Sequence, residues 1–424
     1  MSKRKPPMPH LLSATADGEI VEHPELLMVV RRGDEITLPR PDELIRLPDE
    51  SELFLLENRL AVGFDPESGQ VEALEEPAVA AFISPGHTLG AVAAYHTRDE
   101  AARLPLFAYG AVGWAEGSFW VAARKVDEDR RQVFTNIPPE KVRQGAEKLM
   151  KRFPENRLVR HLTGCALVSG CPAAKNLALG RFEAPLPTSR ACNADCLGCI
   201  SSQPPDSGFP ATQDRLRFTP TPDEVLEVMT AHAERAKRPI LSFGQGCEGE
   251  PLTEADLLAE ATRRYRDQGG PGTVNVNTNG SRPEVVAQLA KAGFSSMRVS
   301  LSSAREDAYT RYARPRSFSF DDVRECARQA KRHGLFVSLN YFFFPGVSDT
   351  ENEMEALSGF IEATGVDFIQ LRNLNLDPEL YMALLEGIDH GPCMGLANFR
   401  KRIKKAHPGV GFGYFNPYVE QDAD

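Results

Sequence analysis

Long apolar runs are missing from this chain. No stretch of the 424 residues reaches the ~18 uninterrupted apolar side chains that a membrane-spanning helix needs, so no membrane association is expected. Cysteine is scarce. Eight thiols are too few for a disulfide scaffold and fit a reducing compartment, so a cytoplasmic location is expected. An excess of positive charge is missing too. The 49 Lys and Arg against 59 Asp and Glu leave a formal net charge of −10, which speaks against a broad nucleic-acid footprint. The start, Met1-Ser2-Lys3-Arg4-Lys5, is basic, but no apolar stretch follows, so it does not read as a secretory signal. What is present is globular: 42% hydrophobic and 25% charged residues, enough chain for one large domain and a smaller one.

Residues 1–160 read as a β-rich accessory domain. Short apolar runs at 26–30, 52–56, 79–83, 107–110 and 118–123 are separated by turn residues. Pro139 opens a helix whose apolar stripe is Val142, Ala146, Leu149 and Met150. No catalytic constellation is visible there. His87 is expected in a surface turn, with a lid over the active site as the alternative.

From about residue 183 the rhythm changes. Strands are expected at 240–243, 273–278, 296–301, 336–343 and 368–372, with amphipathic helices at 224–238, 254–266, 283–292, 321–333 and 351–363. Cys326 falls on an apolar stripe with Val323, Ala327 and Ala330 and reads as a packing cysteine. Strands buried between helix layers are apolar on both faces. Here polar residues alternate: Ser242, Asn275, Asn277, Asn279, Arg298, Ser300, Ser338, Asn340, Gln370 and Arg372. That pattern predicts a barrel whose polar interior is a binding chamber, with an exposed sheet face as the alternative.

Three of the eight thiols lie within eight residues, as Cys192-x3-Cys196-x2-Cys199. Zinc would require a fourth protein ligand. An iron–sulfur cluster held by three cysteines leaves one iron open to a small ligand. A structural zinc site stays the alternative.

This spacing resembles the signature of the radical S-adenosylmethionine (radical SAM) superfamily. Glu248-Gly249-Glu250-Pro251 after the second strand is similar to that family's Gly-Gly-Glu-Pro, departing at its first position. The resemblance covers residues 183–375. It implies an α/β fold, a partial (β/α)6 TIM-like barrel, with the N-terminal β-rich (α+β) domain as an addition and residues 376–424 as a C-terminal extension. It implies that Cys192, Cys196 and Cys199 bind a [4Fe-4S] cluster whose open iron takes S-adenosylmethionine. Reductive cleavage there yields a 5′-deoxyadenosyl radical that abstracts hydrogen from a substrate. Gly249, Glu250, Asn279, Arg298, Ser300 and Asn340 are the expected cofactor contacts, with Glu250 facing the cofactor's amino group through its carboxylate or nearby carbonyls. Flavodoxin or ferredoxin is the expected reductant. The family usually places an aromatic residue before the third cysteine, and here that position is Gly198.

The polar chamber points to a small polar metabolite or a peptide as substrate. Arg298 or Arg372 is suited to a carboxylate or phosphate. Tyr309, Arg311, Tyr312 and Arg314 follow the fourth strand, where specificity loops lie in barrels. RNA modification is a second reading, resting on the short basic run Lys401-Arg402-Ile403-Lys404-Lys405. A non-catalytic iron–sulfur protein is a third. Cys165, Cys171 and Cys393 would make a second three-cysteine site if the chain brings them together. Cys247, beside the second strand, is either a reactive thiol near the cofactor or buried packing.

Overall fold

The computed structural model describes residues 6–99 and 101–420, so the basic start at Met1–Lys5 lies outside the described residues. Two sheets organise the chain. The first has twelve antiparallel strands. Its longest ladder is the hairpin of Glu52–Asp65 and Gln70–Phe82. Four of the five predicted runs fall on strands. The fifth is displaced: Phe107 precedes the strand Gly110–Ala115 and instead packs its ring on Phe54 and Phe82, with centroids 4.9 and 5.3 Å away.

The predicted helix spans Pro139–Arg152. Two more helices, Arg157–Leu167 and Pro172–Leu179, follow it without having been predicted. Their signals are local. The Asn156 side chain accepts from the Val159 N–H, Pro172 sits in the first turn of the next helix, and Gly180 ends it in the left-handed region at φ 65°.

The second sheet has seven parallel strands in sequential order: β1 (Glu183–Leu186), β2 (Ile240–Phe243), β3 (Thr273–Thr278), β4 (Ser296–Leu301), β5 (Phe336–Phe343), β6 (Phe368–Asn373) and β7 (Gly411–Gly413). β7 was not predicted, because three residues with two glycines carry no periodicity. Among the described residues β1 and β7 are not paired with each other. Crossover helices Pro222–Ala233, Ala255–Asp267, Val286–Ala292, Phe320–Arg332 and Glu351–Thr364 cover one face. Val274, Val276, Met297, Val299, Leu339 and Ile369 pack there against Val225, Leu258, Val323 and Leu357. Each such buried aliphatic side chain contributes about 1.5–3 kcal/mol. Cys326 lies inside this layer with its Sγ 3.7 Å from Met297 Sδ, the packing role its stripe predicted.

The N-terminal sheet is seated against the loops beyond β5 and β6. Thr88 Oγ1 donates to Leu371 O at 2.7 Å, and Leu89 N donates to Asn373 Oδ1 at 2.9 Å. Gly33 N donates to Pro345 O at 3.0 Å. Arg59 and Asp377 form a buried ion pair at 3.5 Å, and Asp377 also accepts from Leu104 N at 2.8 Å. His87 is therefore not in a surface turn. It begins the strand His87–Leu89, half-buried at this junction, and its carbonyl accepts from Asn373 Nδ2 at 3.1 Å. Burial lowers its pKa.

Candidate functional site

The chain leaves β1 through Thr188 and Ser189 and enters the cysteine loop. Three threads fix that loop. Asp195 N donates to Arg314 O (3.2 Å), Leu197 N to Tyr312 O (3.0 Å), and Arg316 N to Asn193 O (2.9 Å). Arg316 also donates a side-chain hydrogen bond to the carbonyl of Cys192. From the third strand, Asn279 Nδ2 donates to Asn193 Oδ1 at 2.9 Å. Gln203 Nε2 closes the far end on Leu197 O (3.0 Å) and Cys199 O (2.7 Å).

The glycine–glutamate loop after β2 lies directly on this one. Gly249 N donates to Ser189 O and Glu250 N to Ala191 O, both at 2.8 Å. A Cβ on Gly249 would run into the Ala191 carbonyl, so glycine is required by the approach itself. Glu248, the position that departs from the family pattern, has a structural task. One carboxylate oxygen accepts from Thr188 N (2.7 Å) and Ser189 N (2.9 Å), and the other from Gln245 N (2.6 Å). The glutamate at this position thus ties the exit of β1 to its own loop.

Glu250 is 3% exposed. Its carboxylate accepts from Asn279 N (2.8 Å), Leu252 N (3.0 Å) and the Thr278 hydroxyl. Burial pushes the carboxyl groups of Glu248 and Glu250 up to about 7. Of the two expected routes at Glu250, the carboxylate is turned inward, where it braces the end of β3.

The cysteine loop carries three thiols, and one cation reaches a sulfur. Arg215 Nη2 lies 3.3 Å from Cys199 Sγ, and its Nε donates to Ser201 Oγ at 3.2 Å. Burial pushes the thiols of Cys192 and Cys196 up, and the charges of Glu250 and neighbouring thiolates push the same way. Such a set becomes an anionic ligand set only with strong positive charge among the sulfurs, which an iron–sulfur cluster supplies. Arg215 was missed by the sequence reading because an arginine in an irregular loop carries no spacing signal.

Gly198 has a direct explanation. A Cβ there would meet the hydroxyl of Tyr312. Tyr312 is 5% exposed and packs on Phe342 and Tyr381. An aromatic side chain thus stands beside position 198 after all, supplied from 114 residues further along the chain. The segment holding it is the helix Glu306–Ala313, not a substrate loop. Tyr309 is buried against Phe320, Arg311 donates to the carbonyls of Leu384 and Glu386, and Arg314 accepts from the cysteine loop.

The polar face of the sheet is partly filled by the protein itself. Asn275 Nδ2 donates to Asn277 Oδ1 (2.8 Å), Ser296 Oγ to Asn275 Oδ1 (2.9 Å), and Gln370 Nε2 to Asn416 Oδ1 (2.9 Å). Asn416, from the C-terminal extension, also donates to Glu183 Oε1 at 2.7 Å. The expected open chamber is thus closed by its own side chains around Ser242, Asn275, Asn277, Ser338 and Gln370. Arg372 is spent as well, donating to Tyr414 O (3.2 Å) and stacking on the Tyr414 ring at 4.2 Å. Farther along the strands the pairing stops. Asn340 Oδ1, Ser302 Oγ and Arg298 Nε are enclosed and have no partner. Ser300 is opposite Asn340 in register, and Asn340 is opposite Gln370. Arg298 makes one side-chain bond, to Gln370 Oε1 at 3.1 Å, and burial with the nearby charge of Arg372 pulls its pKa down to about 9, still cationic at neutral pH. Buried polar atoms without partners cost about 1–3 kcal/mol each, and such a set is where a polar ligand is received.

The remaining thiols separate. Cys393 lies beside Asp349, with Thr350 and Cys393 joined by an isolated bridge, so it does not meet Cys165 and Cys171. Cys247 instead joins Cys165 and His161.

Known proteins resemble parts of this chain. Residues 186–357 match the profile of the Radical SAM superfamily. A putative glycyl-radical enzyme activating enzyme of Methanocaldococcus jannaschii is 27% identical over 107 residues, 24% of this chain and 44% of that protein, so the match spans less than half of that relative. A radical SAM methyltransferase from Sphaerobacter thermophilus superposes with a TM-score of 0.40 at 15% identity, over 55% of this chain and 67% of the other. SuiB of Streptococcus suis gives 0.38 at 12% identity, over 69% and 67%. The matched segment runs from the end of β1 through β5 into the helix that follows it. That superfamily uses a [4Fe-4S] cluster and S-adenosylmethionine. No helix among the described residues is long and apolar enough to cross a membrane.

Proposed function

We propose that this chain is a radical SAM enzyme in which Cys192, Cys196 and Cys199 hold the [4Fe-4S] cluster and the groups beyond it receive S-adenosylmethionine and a small polar or peptide substrate. The observation that carries the reading is the stitching of the cysteine loop to the Gly249–Glu250 loop, backbone to backbone, at the ends of β1 and β2. The donor set fits the cluster: three thiols on one loop, an arginine on the third sulfur, and unpartnered polar atoms farther along the sheet. When bound, the cluster supplies the electron that cleaves the cofactor's sulfonium.

The protein's own groups do the rest. Glu248 and Glu250 hold the two loops in register, so the carbonyls around Gly249 present acceptors to an ammonium. Arg298, still charged and short of partners, binds a carboxylate. Ser300, Ser302 and Asn340 offer hydroxyl and amide groups to a ribose or a substrate. Asn279 fixes Asn193 and so the loop's position. The space beyond is bounded by the N-terminal sheet, which we assign as an accessory domain that covers the loops after β5 and β6 and narrows what enters. The electron donor on this reading is flavodoxin or ferredoxin, and the location is the cytoplasm.

The test is anaerobic purification followed by iron and sulfide analysis and incubation with S-adenosylmethionine and a chemical reductant. About four irons per chain and formation of 5′-deoxyadenosine are expected. Iron and sulfide without any 5′-deoxyadenosine, even with cell extract as a source of substrate, would sink the enzyme reading and leave an iron–sulfur binding protein. Co-purification of a defined RNA would move the substrate to nucleic acid. Of the basic run, Arg402 is paired with Glu351 at 3.0 Å and Lys404 donates to Val410 O at 2.8 Å.

A further inference from the structure

A second set of metal-type donors lies on the other side of the Glu248–Glu250 loop. His161 and Cys165 sit four residues apart on the helix Arg157–Leu167, a spacing that puts them on one face. Cys247 reaches them from the loop after β2, 82 residues later in the chain. The donor atoms of His161, Cys165 and Cys247 all lie within 4.8 Å of one another. His161 Nε2 is 3.5 Å from Cys165 Sγ. Among the described residues no other group of three or more His, Cys, Asp or Glu side chains converges this closely. Cys171 stands at the start of the next helix. Its N–H donates to the Cys165 carbonyl at 2.9 Å.

We propose that His161, Cys165 and Cys247 bind one zinc ion at a site separate from the iron–sulfur cluster. The distances carry the assignment. Zn–S of about 2.3 Å and Zn–N of about 2.0–2.1 Å at a tetrahedral centre place sulfur and nitrogen about 3.5 Å apart and two sulfurs about 3.8 Å apart. The observed spacing matches such an edge. A four-iron cube holds each thiolate on a different iron and needs wider separations, and the sulfurs of Cys192, Cys196 and Cys199 do not meet the 4.8 Å spacing. Two thiolates and an imidazole suit zinc by softness and geometry. Each coordinating thiol gives up its proton on binding. The ion pins Cys247, and with it the adjacent Glu248-Gly249-Glu250, to the helix Arg157–Leu167.

The test uses the full chain with Cys192→Ser, Cys196→Ser and Cys199→Ser combined, so that it does not depend on the cluster. Grown with added zinc and purified, both this variant and the unaltered protein are expected to hold about one zinc per chain. His161→Ala with Cys247→Ser, added to the triple variant, is expected to release it. Zinc-edge X-ray absorption of the unaltered protein is expected to show sulfur at about 2.3 Å and nitrogen at about 2.0–2.1 Å, and this reading stands even where a variant fails to fold. Absence of zinc from the unaltered protein, iron with acid-labile sulfide in the triple variant, a Cys165–Cys247 disulfide, or a zinc edge with oxygen and nitrogen only would each overturn the proposal.

Discussion

The two thiol groups of this chain differ in a way that separates their chemistry. Cys192, Cys196 and Cys199 come from one short loop, do not all lie within 4.8 Å of one another, and have Arg215 beside Cys199. His161, Cys165 and Cys247 come from two distant segments and crowd together. A loop with three thiols has neighbours in sequence but room between its sulfurs, which suits a multinuclear cluster. A helix and a remote loop have the reverse. Spacing in sequence therefore says little about spacing between donors. The two groups are joined through the segment Cys247-Glu248-Gly249-Glu250, which contributes to both.

The largest effect expected is at the first group. Serine at Cys192, Cys196 or Cys199 is expected to remove iron and sulfide and to reduce 5′-deoxyadenosine formation to the level seen without protein, with zinc retained. Loss of both metals together would break the separation drawn here. Next, Cys165→Ser is expected to lose zinc but keep iron when the cluster is reconstituted. Its thermal midpoint should fall, while turnover drops less than in the cluster variants, as metal analysis, calorimetry and 5′-deoxyadenosine assays would show.

The link between the groups is testable at Glu248. Glu248→Ala leaves the N–H groups of Thr188, Ser189 and Gln245 without acceptors, each costing about 1–3 kcal/mol. Urea denaturation should show the summed loss, and Glu248→Gln, which keeps one acceptor oxygen, a smaller one. Equal stability in all three proteins would mean that the link is not a structural one.

A carboxyl outside both groups sharpens the comparison by separating protonation from metal loss. Glu353 accepts from the Ala304 N–H at 2.6 Å and the Tyr341 hydroxyl at 2.8 Å, and burial pushes it up to about 7. The folded chain holds this proton more tightly than the unfolded chain, where the ordinary value is 4.5. Its contribution to stability is therefore full below pH ~4.5 and is lost as pH rises towards ~7. Glu353→Gln should flatten that part of the curve, measured on metal-free protein. The smallest effect concerns the first loop alone. Gly198→Ala is expected to cost about 1–3 kcal/mol by overpacking against Tyr312, and Tyr312→Phe in the same chain should return part of it by removing the hydroxyl. A double-mutant cycle with zero coupling would contradict the contact.

Much of the fold and the cysteine signature was legible. The strands from β2 to β6 and their helices announced themselves by periodicity, and Cys192-x3-Cys196-x2-Cys199 by spacing. What was not legible depends on contacts between distant segments. Tyr312 beside Gly198 and Cys247 beside Cys165 are separated by 114 and 82 residues and share no local pattern. The alternating polar strands predicted an open chamber, whereas part of that face is filled by Asn416, which lies beyond every strand that was read. Pairing Cys165 and Cys171 with Cys393 failed for the same reason: thiol counting identifies residue types and not the loops that bring them together.

The seat of the N-terminal sheet has a consequence for how the protein is made. The sheet is finished by Lys125, but its apolar patch around Leu89, Val92 and Val121 shares a cluster with Phe344, Leu374, Tyr381 and Ile388. At a synthesis rate of about 5–20 residues per second, some tens of seconds pass before those partners leave the ribosome. During that interval this sheet, made before its partners, has an uncovered greasy side.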